Sequence, residues 1–122
     1  MSLPPKILII DDDEDIRLIA GLFLRNAGDY SIFEASTAAE GLEQIASHSP
    51  DFIILDFLLP DAQGDELITQ ILKQHQCTII VLTARTDNSL ADRFIERGAA
   101  LVLHKPFNPE EFVVQVKRLL DA

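Results

Sequence analysis

Asp11, Asp12, Asp56, Thr83 and Lys105 are the residues of this sequence whose types could do chemistry together. Carboxylates brought close repel, so either one of them takes a proton or a cation sits among them. A hard divalent ion is the economical answer. Magnesium prefers oxygen donors and commonly uses one or two protein carboxylates alongside phosphate oxygens, and calcium or manganese could replace it in vitro. A lysine aimed at such a cluster acts as a point charge for a phosphoryl group, and a threonine adds a hydroxyl donor. A metal, a lysine and a hydroxyl around an unprotonated carboxylate make a phosphoryl-transfer site in which Asp56 can be the nucleophile.

These residues are scattered along the chain, so the fold must gather them. Short apolar runs alternate five times with longer amphipathic stretches, which is the pattern of an α/β domain whose parallel sheet is buried on both faces. Strands are predicted at Lys6 to Ile10, Ser31 to Ala35, Phe52 to Leu55, Thr78 to Leu82 and Leu101 to Leu103. The residues that follow them are Asp11-Asp12-Asp13 after the first, Asp56 after the third, Thr83 after the fourth and His104-Lys105-Pro106 after the fifth. Right-handed crossovers bring all the carboxyl ends to one edge, and ligands bind there, where the strand order reverses. In a flavodoxin-like (βα)5 doubly wound sheet of order 2-1-3-4-5, the first and third strands are neighbours, so Asp11, Asp12 and Asp56 meet.

The helices between carry readable boundaries. Glu14 to Asn26 has Ile16, Ile19, Ala20 and Phe23 at helical spacing, with Gly28 as a stop. Thr37-Ala38-Ala39-Glu40 has capping-box spacing and opens a helix to about Ser47. Asn108-Pro109-Glu110-Glu111 supplies a cap, a first-turn proline and a glutamate for the last helix, which ends near Leu120. Helices over Asp65 to Gln74 and Ser89 to Arg97 complete the set.

Several polar residues have plainer roles. Asp13, Glu14 and Asp15 precede or open a helix, where carboxylates cap free amides and complement the dipole. Strand alternation points His104 away from its neighbour Lys105, which gives it a structural role. His48 and His75 fall at helix ends and do not read as metal ligands. Pro60 and Gly64 bound a loop after Asp56 that borders the site, and Gly64 is expected to supply a backbone conformation other residues resist.

With 122 residues and 48% hydrophobic content the chain is sized for one domain, expected over residues 4–122. Met1, Ser2 and Leu3, ahead of Pro4-Pro5, could be an expression scar. Twenty acidic against ten basic side chains give a net charge of −10, which repels nucleic acid and anionic lipid. The apolar runs are too short to span a bilayer. A lone cysteine, Cys77, cannot form an internal disulfide, and a reducing cytoplasm fits it.

The chain from Lys6 to Ala122 resembles the receiver domain of two-component response regulators. The resemblance rests on Asp11-Asp12 after an Ile-Leu-Ile-Ile strand, Leu55-Asp56 with Pro60 and Gly64 following, Val81-Leu82-Thr83-Ala84, and Lys105-Pro106-Phe107. It implies that Asp56 takes a phosphoryl group from a phosphohistidine on a histidine kinase or histidine phosphotransfer protein. The domain would assist its own phosphorylation and dephosphorylation without being an enzyme. Asp12 and Asp56 would bind magnesium directly, the backbone carbonyl of Leu58 would be a third ligand, and Asp11 would act largely through water. Thr83 and Lys105 would hold phosphoryl oxygens, and the Lys105–Pro106 bond would be cis. Output would pass through the face of the fourth helix, fifth strand and fifth helix, to an output domain or a second copy. That family couples the site to this face partly through an aromatic residue on the fifth strand. Here Val102 stands in its place, so a different relay or a weaker change is expected. Leu58 and Arg85 occupy positions that, in that family, influence how quickly water reaches the phosphoaspartate, and the resemblance implies the same for them here.

Three other readings compete. A haloacid-dehalogenase-like phosphatase also uses aspartates, a lysine and magnesium, but Asp15 stands where its motif needs threonine or valine. A flavodoxin-type binder would find three aspartates repelling its cofactor phosphate, and a dinucleotide fold lacks its Gly-x-Gly-x-x-Gly turn. A receiver-like module that signals by binding alone is opposed by the intact set Asp11, Asp12, Asp56, Thr83 and Lys105.

Overall fold

The computed structural model describes residues 3–84 and 88–120, so Met1, Ser2 and Arg85 lie outside the described residues. In chain order the elements are β1 (Lys6–Ile10), α1 (Glu14–Ala27), β2 (Ser31–Ala35), α2 (Ala38–His48), β3 (Phe52–Asp56), β4 (Leu58–Leu59), β5 (Ala62–Gln63), α3 (Gly64–Gln74), β6 (Thr78–Thr83), α4 (Asn88–Arg97), β7 (Leu101–His104) and α5 (Pro109–Leu120). The main sheet runs β2-β1-β3-β6-β7, every pair parallel. Counting its own five strands, that is the expected order 2-1-3-4-5.

Strand alternation explains why both faces are buried. Ile7, Ile9, Ile54 and Leu82 enter one apolar cluster with Ala20 and Leu24 of α1 and Phe112 and Val116 of α5. Leu8, Ile10, Leu55 and Val81 enter the other, with Ile45 of α2, Leu67 and Ile71 of α3 and Phe94 of α4. No helix among the described residues is long and apolar enough to cross a membrane.

The caps act where the sequence places them. Asp13 Oδ1 accepts from the Asp15 amide at 2.9 Å, Thr37 Oγ1 from the Glu40 amide at 3.1 Å, and Asn108 Oδ1 from the Glu110 and Glu111 amides at 2.9 and 3.1 Å. The capping box at Thr37 is half made, because the Glu40 carboxylate accepts from the Ser36 hydroxyl instead of the Thr37 amide.

Three expectations are corrected. The buried stripe of α1 is Ala20, Gly21 and Leu24, while Ile19 is exposed, because the sheet meets the helix about one residue further round than periodicity indicates. The third, fourth and fifth sheet strands each run one residue longer, to Asp56, Thr83 and His104, since the ladder continues through the pairs Asp56↔Leu82 and Thr83↔His104. Gly64 is not among the positive-φ residues; among the described glycines that conformation belongs to Gly98, at φ 118°. Gly64 is needed for space instead. A Cβ there would lie 2.8 Å from Phe57 Cδ2 and 3.2 Å from the Phe57 carbonyl oxygen.

Candidate functional site

The carboxyl edge of the sheet collects the chemistry. Among the described residues the buried polar or charged side chains are Asp11, Asp56, Asp65 and Thr83, and all but Asp65 end a strand or directly follow one. Asp11 follows β1, and its amide bonds to the Ala35 carbonyl at 3.1 Å, extending the ladder past the strand. Its Oδ1 accepts from the Asp13 amide at 2.9 Å and its Oδ2 from Lys105 Nζ at 2.8 Å. Asp56 closes β3; its Oδ1 accepts from the Leu58 amide at 3.3 Å and stands 3.2 Å from the same Nζ. Lys105 thus bridges two buried carboxylates from adjacent strands.

Burial and the neighbouring Asp11 charge push the Asp56 carboxyl up to about 6, against the opposing pull of Lys105 and the Leu58 amide. Burial alone would weaken the Lys105 ammonium, but its bonds and charge pairing with Asp11 and Asp56 outweigh that and hold it above the ordinary amine range. Repulsion between the acids is therefore only partly relieved by the lysine.

Asp12 is exposed at the rim, yet one carboxylate oxygen from each of Asp11, Asp12 and Asp56 lies within 4.8 Å of the others. Three hard oxygen donors converging from two strands suit magnesium or calcium and not a soft metal. The residual repulsion at Asp56 is what such an ion would remove.

Thr83 ends β6 buried, and its carbonyl accepts from the Lys105 amide at 2.7 Å. His104 is exposed, paired in register with Thr83 at the end of β7. The Lys105–Pro106 peptide bond is cis. Leu58, 61% exposed, follows Asp56 by two residues, and its amide is bonded to that carboxylate. Val102 is half-buried and packs against the cluster that contains Phe94. On the same side of the sheet, Phe57, next to Asp56, meets Phe94 of α4 with ring centroids 5.0 Å apart.

Sequence reasoning missed the supports around these residues. Arg17 Nη1 donates to the Asp11 carbonyl at 2.7 Å while its Nε pairs with Glu34 at 3.3 Å, clamping the end of β1 to β2. Asp65, buried in the first turn of α3, pairs with Arg93 of α4, and Arg97 donates to Thr69 at 3.1 Å one turn on. Burial opposes ionisation of Asp65, but Arg93 prevails and holds its carboxyl below the usual range. Asp61 accepts from two amides of α2. Apart from the Arg17–Asp11 bond, which spans six residues, these contacts join segments distant in sequence, so local spacing carries no signal for them.

Residues 7–117 match the family described as the response regulator receiver domain. The transcriptional regulatory protein SrrA of Staphylococcus aureus is 35% identical over 115 residues, which is 94% of this chain and 47% of SrrA. The chain thus spans about half the length of that relative. A CheY-like response regulator receiver domain protein from Methanospirillum hungatei superposes with a TM-score of 0.90 at 30% identity, over 98% of this chain and 95% of the other. The BeF3-activated receiver domain of DrrB, a Thermotoga maritima protein, gives 0.88 at 29% identity, over 98% and 100%. The match along the chain, the shared architecture and the acidic edge agree: this chain belongs to the response regulator receiver domain family of two-component signalling.

Proposed function

We propose that the domain is a phosphorylation-dependent switch in which Asp56 accepts a phosphoryl group from a phosphohistidine on a histidine kinase or histidine phosphotransfer protein. The observation that supports this most directly is the Lys105 ammonium held between the buried carboxylates of Asp11 and Asp56. An Asp56 oxygen forms a bond to phosphorus as the phosphorus–nitrogen bond breaks, and the partner histidine keeps the electron pair. Lys105 and Thr83 hold phosphoryl oxygens, and Asp12, Asp56 and the Leu58 carbonyl would hold magnesium, with Asp11 acting through water. The ion supplies neutralisation of the charge gathered at the phosphoryl group. The domain assists this transfer and its reversal by water without turning over a separate substrate.

The working place is the cytoplasm, and the signal leaves through α4, β7 and α5, toward an output domain or a second copy. Ile95 on α4 and Val114 on α5 are exposed apolar side chains consistent with such contacts.

Incubation with acetyl phosphate and magnesium, followed by intact-mass measurement, tests the reading. A single phosphoryl adduct that disappears with chelator is expected; no adduct would overturn it in favour of a module that signals by binding alone.

The bulk of Leu58, exposed two residues after Asp56, would limit access of water to the phosphoaspartate. Leu58→Gly is therefore expected to shorten the lifetime of the adduct, followed by its decay after removal of acetyl phosphate. A longer-lived adduct in the variant would contradict this.

With Val102 in place of a ring, the response on α4 and α5 is expected to be weak or routed differently. Amide shifts of free and beryllofluoride-bound protein measure it. A full response across the α4-β7-α5 face would rule out weak coupling.

A further inference from the structure

The loop after Asp56 is held by a bond that no role assigned above uses. Leu58–Leu59 and Ala62–Gln63 pair as a two-stranded antiparallel ribbon, and Asp61 lies in its turn. From there the Asp61 carboxylate reaches the start of α2, where Oδ1 accepts from the Ala38 amide at 2.8 Å and Oδ2 from the Ala39 amide at 3.0 Å. The first turn of a helix carries free amides that need acceptors. Thr37, the cap within the same segment, serves only the Glu40 amide, at 3.1 Å. Asp61, from more than twenty residues away, serves the two it leaves.

This bond closes a ring around the acidic cluster. Asp11 is tied to the end of β2 through the Ala35 carbonyl. β2 leads through Ser36 and Thr37 into α2, whose Gly41 lies against Ile10 of β1, where an added Cβ would come within 2.6 Å of Ile10 Cδ1. Asp61 then links α2 to the ribbon, and Leu58 in that ribbon donates its amide to Asp56 at 3.3 Å. Asp61 itself is exposed, so its own hold on the ribbon is these two bonds, made beside the apolar packing of buried Leu59 and half-buried Ala62.

We propose that Asp61 is a positioning residue for the cation site: its bonds to Ala38 and Ala39 fix the ribbon, and with it the Leu58 backbone, against the Asp11, Asp12 and Asp56 carboxylates. The inference rests on the phosphoacceptor reading, in which the Leu58 carbonyl is a metal ligand. It assigns to Asp61 a share of the affinity for a hard divalent cation, because a ligand held in place loses less freedom on binding.

The test is calorimetric titration of magnesium into metal-free protein for the wild type, Asp61→Ala, Asp61→Asn and Thr37→Ala. Removing a supporting group commonly weakens metal binding by about 10- to 100-fold, and the lower end, about 10-fold, is expected for Asp61→Ala because it acts through backbone. Asp61→Asn, which keeps one amide acceptor, should recover part of the loss. Thr37→Ala removes the other cap of α2 without touching the ribbon, and should leave magnesium affinity unchanged. Equal affinity in the wild type and Asp61→Ala would overturn the proposal. So would equal weakening by Asp61→Ala and Thr37→Ala, which would trace the loss to a frayed helix. A wild type that binds no magnesium would instead bring down the reading of the site itself, and this inference with it.

Discussion

Asp56→Asn is expected to abolish the phosphoryl adduct and, in metal-free protein at pH 7, to make the fold more stable by ~3 kcal/mol, from about two pH units at 1.36 kcal/mol each. The first effect follows from the proposed role of Asp56 as the nucleophile, which an amide cannot take over. The second follows from the cost of keeping Asp56 ionised. Its carboxyl is raised from an ordinary 3.8 to about 6 by burial and by Asp11, so the unfolded chain releases this proton at lower pH than the folded one. The stability associated with Asp56 is therefore full below about 3.8 and is lost as the pH rises through about 6. Asparagine keeps the shape and drops the charge, while Lys105 retains Asp11 at 2.8 Å. Urea unfolding of both proteins between pH 7 and pH 4.5 measures this, and the gap should narrow toward the acid end. Saturating magnesium should also narrow it, by favouring the ionised wild type. A variant no more stable than wild type at pH 7 would remove the repulsion argument, and an adduct that survives the substitution would place the nucleophile elsewhere.

Lys105→Met should act in the opposite direction. Removing one partner of a buried ion pair leaves an uncompensated charge and commonly costs ~3–5 kcal/mol. Here the loss strands two carboxylates, with Asp11 fully buried and Asp56 nearly so. The methionine fills the space of the lysine stem, so the change isolates the charge from the packing. Metal-free protein should therefore unfold at clearly lower urea concentration at pH 7. Magnesium should restore part of the stability, because a cation among the same oxygens takes over the neutralising role. Acetyl phosphate should yield little adduct even with magnesium present, since the phosphoryl group loses its point charge. Unchanged stability would mean that Asp11 and Asp56 are compensated by something other than Lys105.

These two substitutions separate the contributions of attraction and repulsion at one edge, and they should not add. Asp56→Asn removes one of the acids that Lys105→Met would strand, so the double variant is expected to be more stable than the sum of the single effects implies. The coupling measures how much of the strain at the site is shared.

Much of this was legible along the chain because the signals are local. A strand buried on both faces must be an apolar run, as at Ile7 to Ile10 and Ile79 to Leu82, and a helix start must find acceptors for its amides, as at Asp13, Thr37 and Asn108. Once five parallel strands are granted, chain connectivity alone sends Asp11, Asp12, Asp56, Thr83 and Lys105 to one edge. Side-chain periodicity was less reliable where an apolar surplus exists. On α1, Leu18, Ile19 and Leu22 are all exposed, and the stripe that packs could be chosen only by the sheet beneath it.

What the residues determined by themselves was the order of strands and helices, their caps and the set of groups that can do chemistry, because each depends on neighbours a few positions away. The tertiary structure alone decided that Lys105 lies between Asp11 and Asp56, that Gly64 answers to the bulk of Phe57, that Phe57 meets Phe94, that Arg93 neutralises Asp65, and that Asp61 caps a helix it does not precede. Those contacts join segments whose separation is set by the packing of whole elements, and no spacing within one element can encode a partner that another element brings.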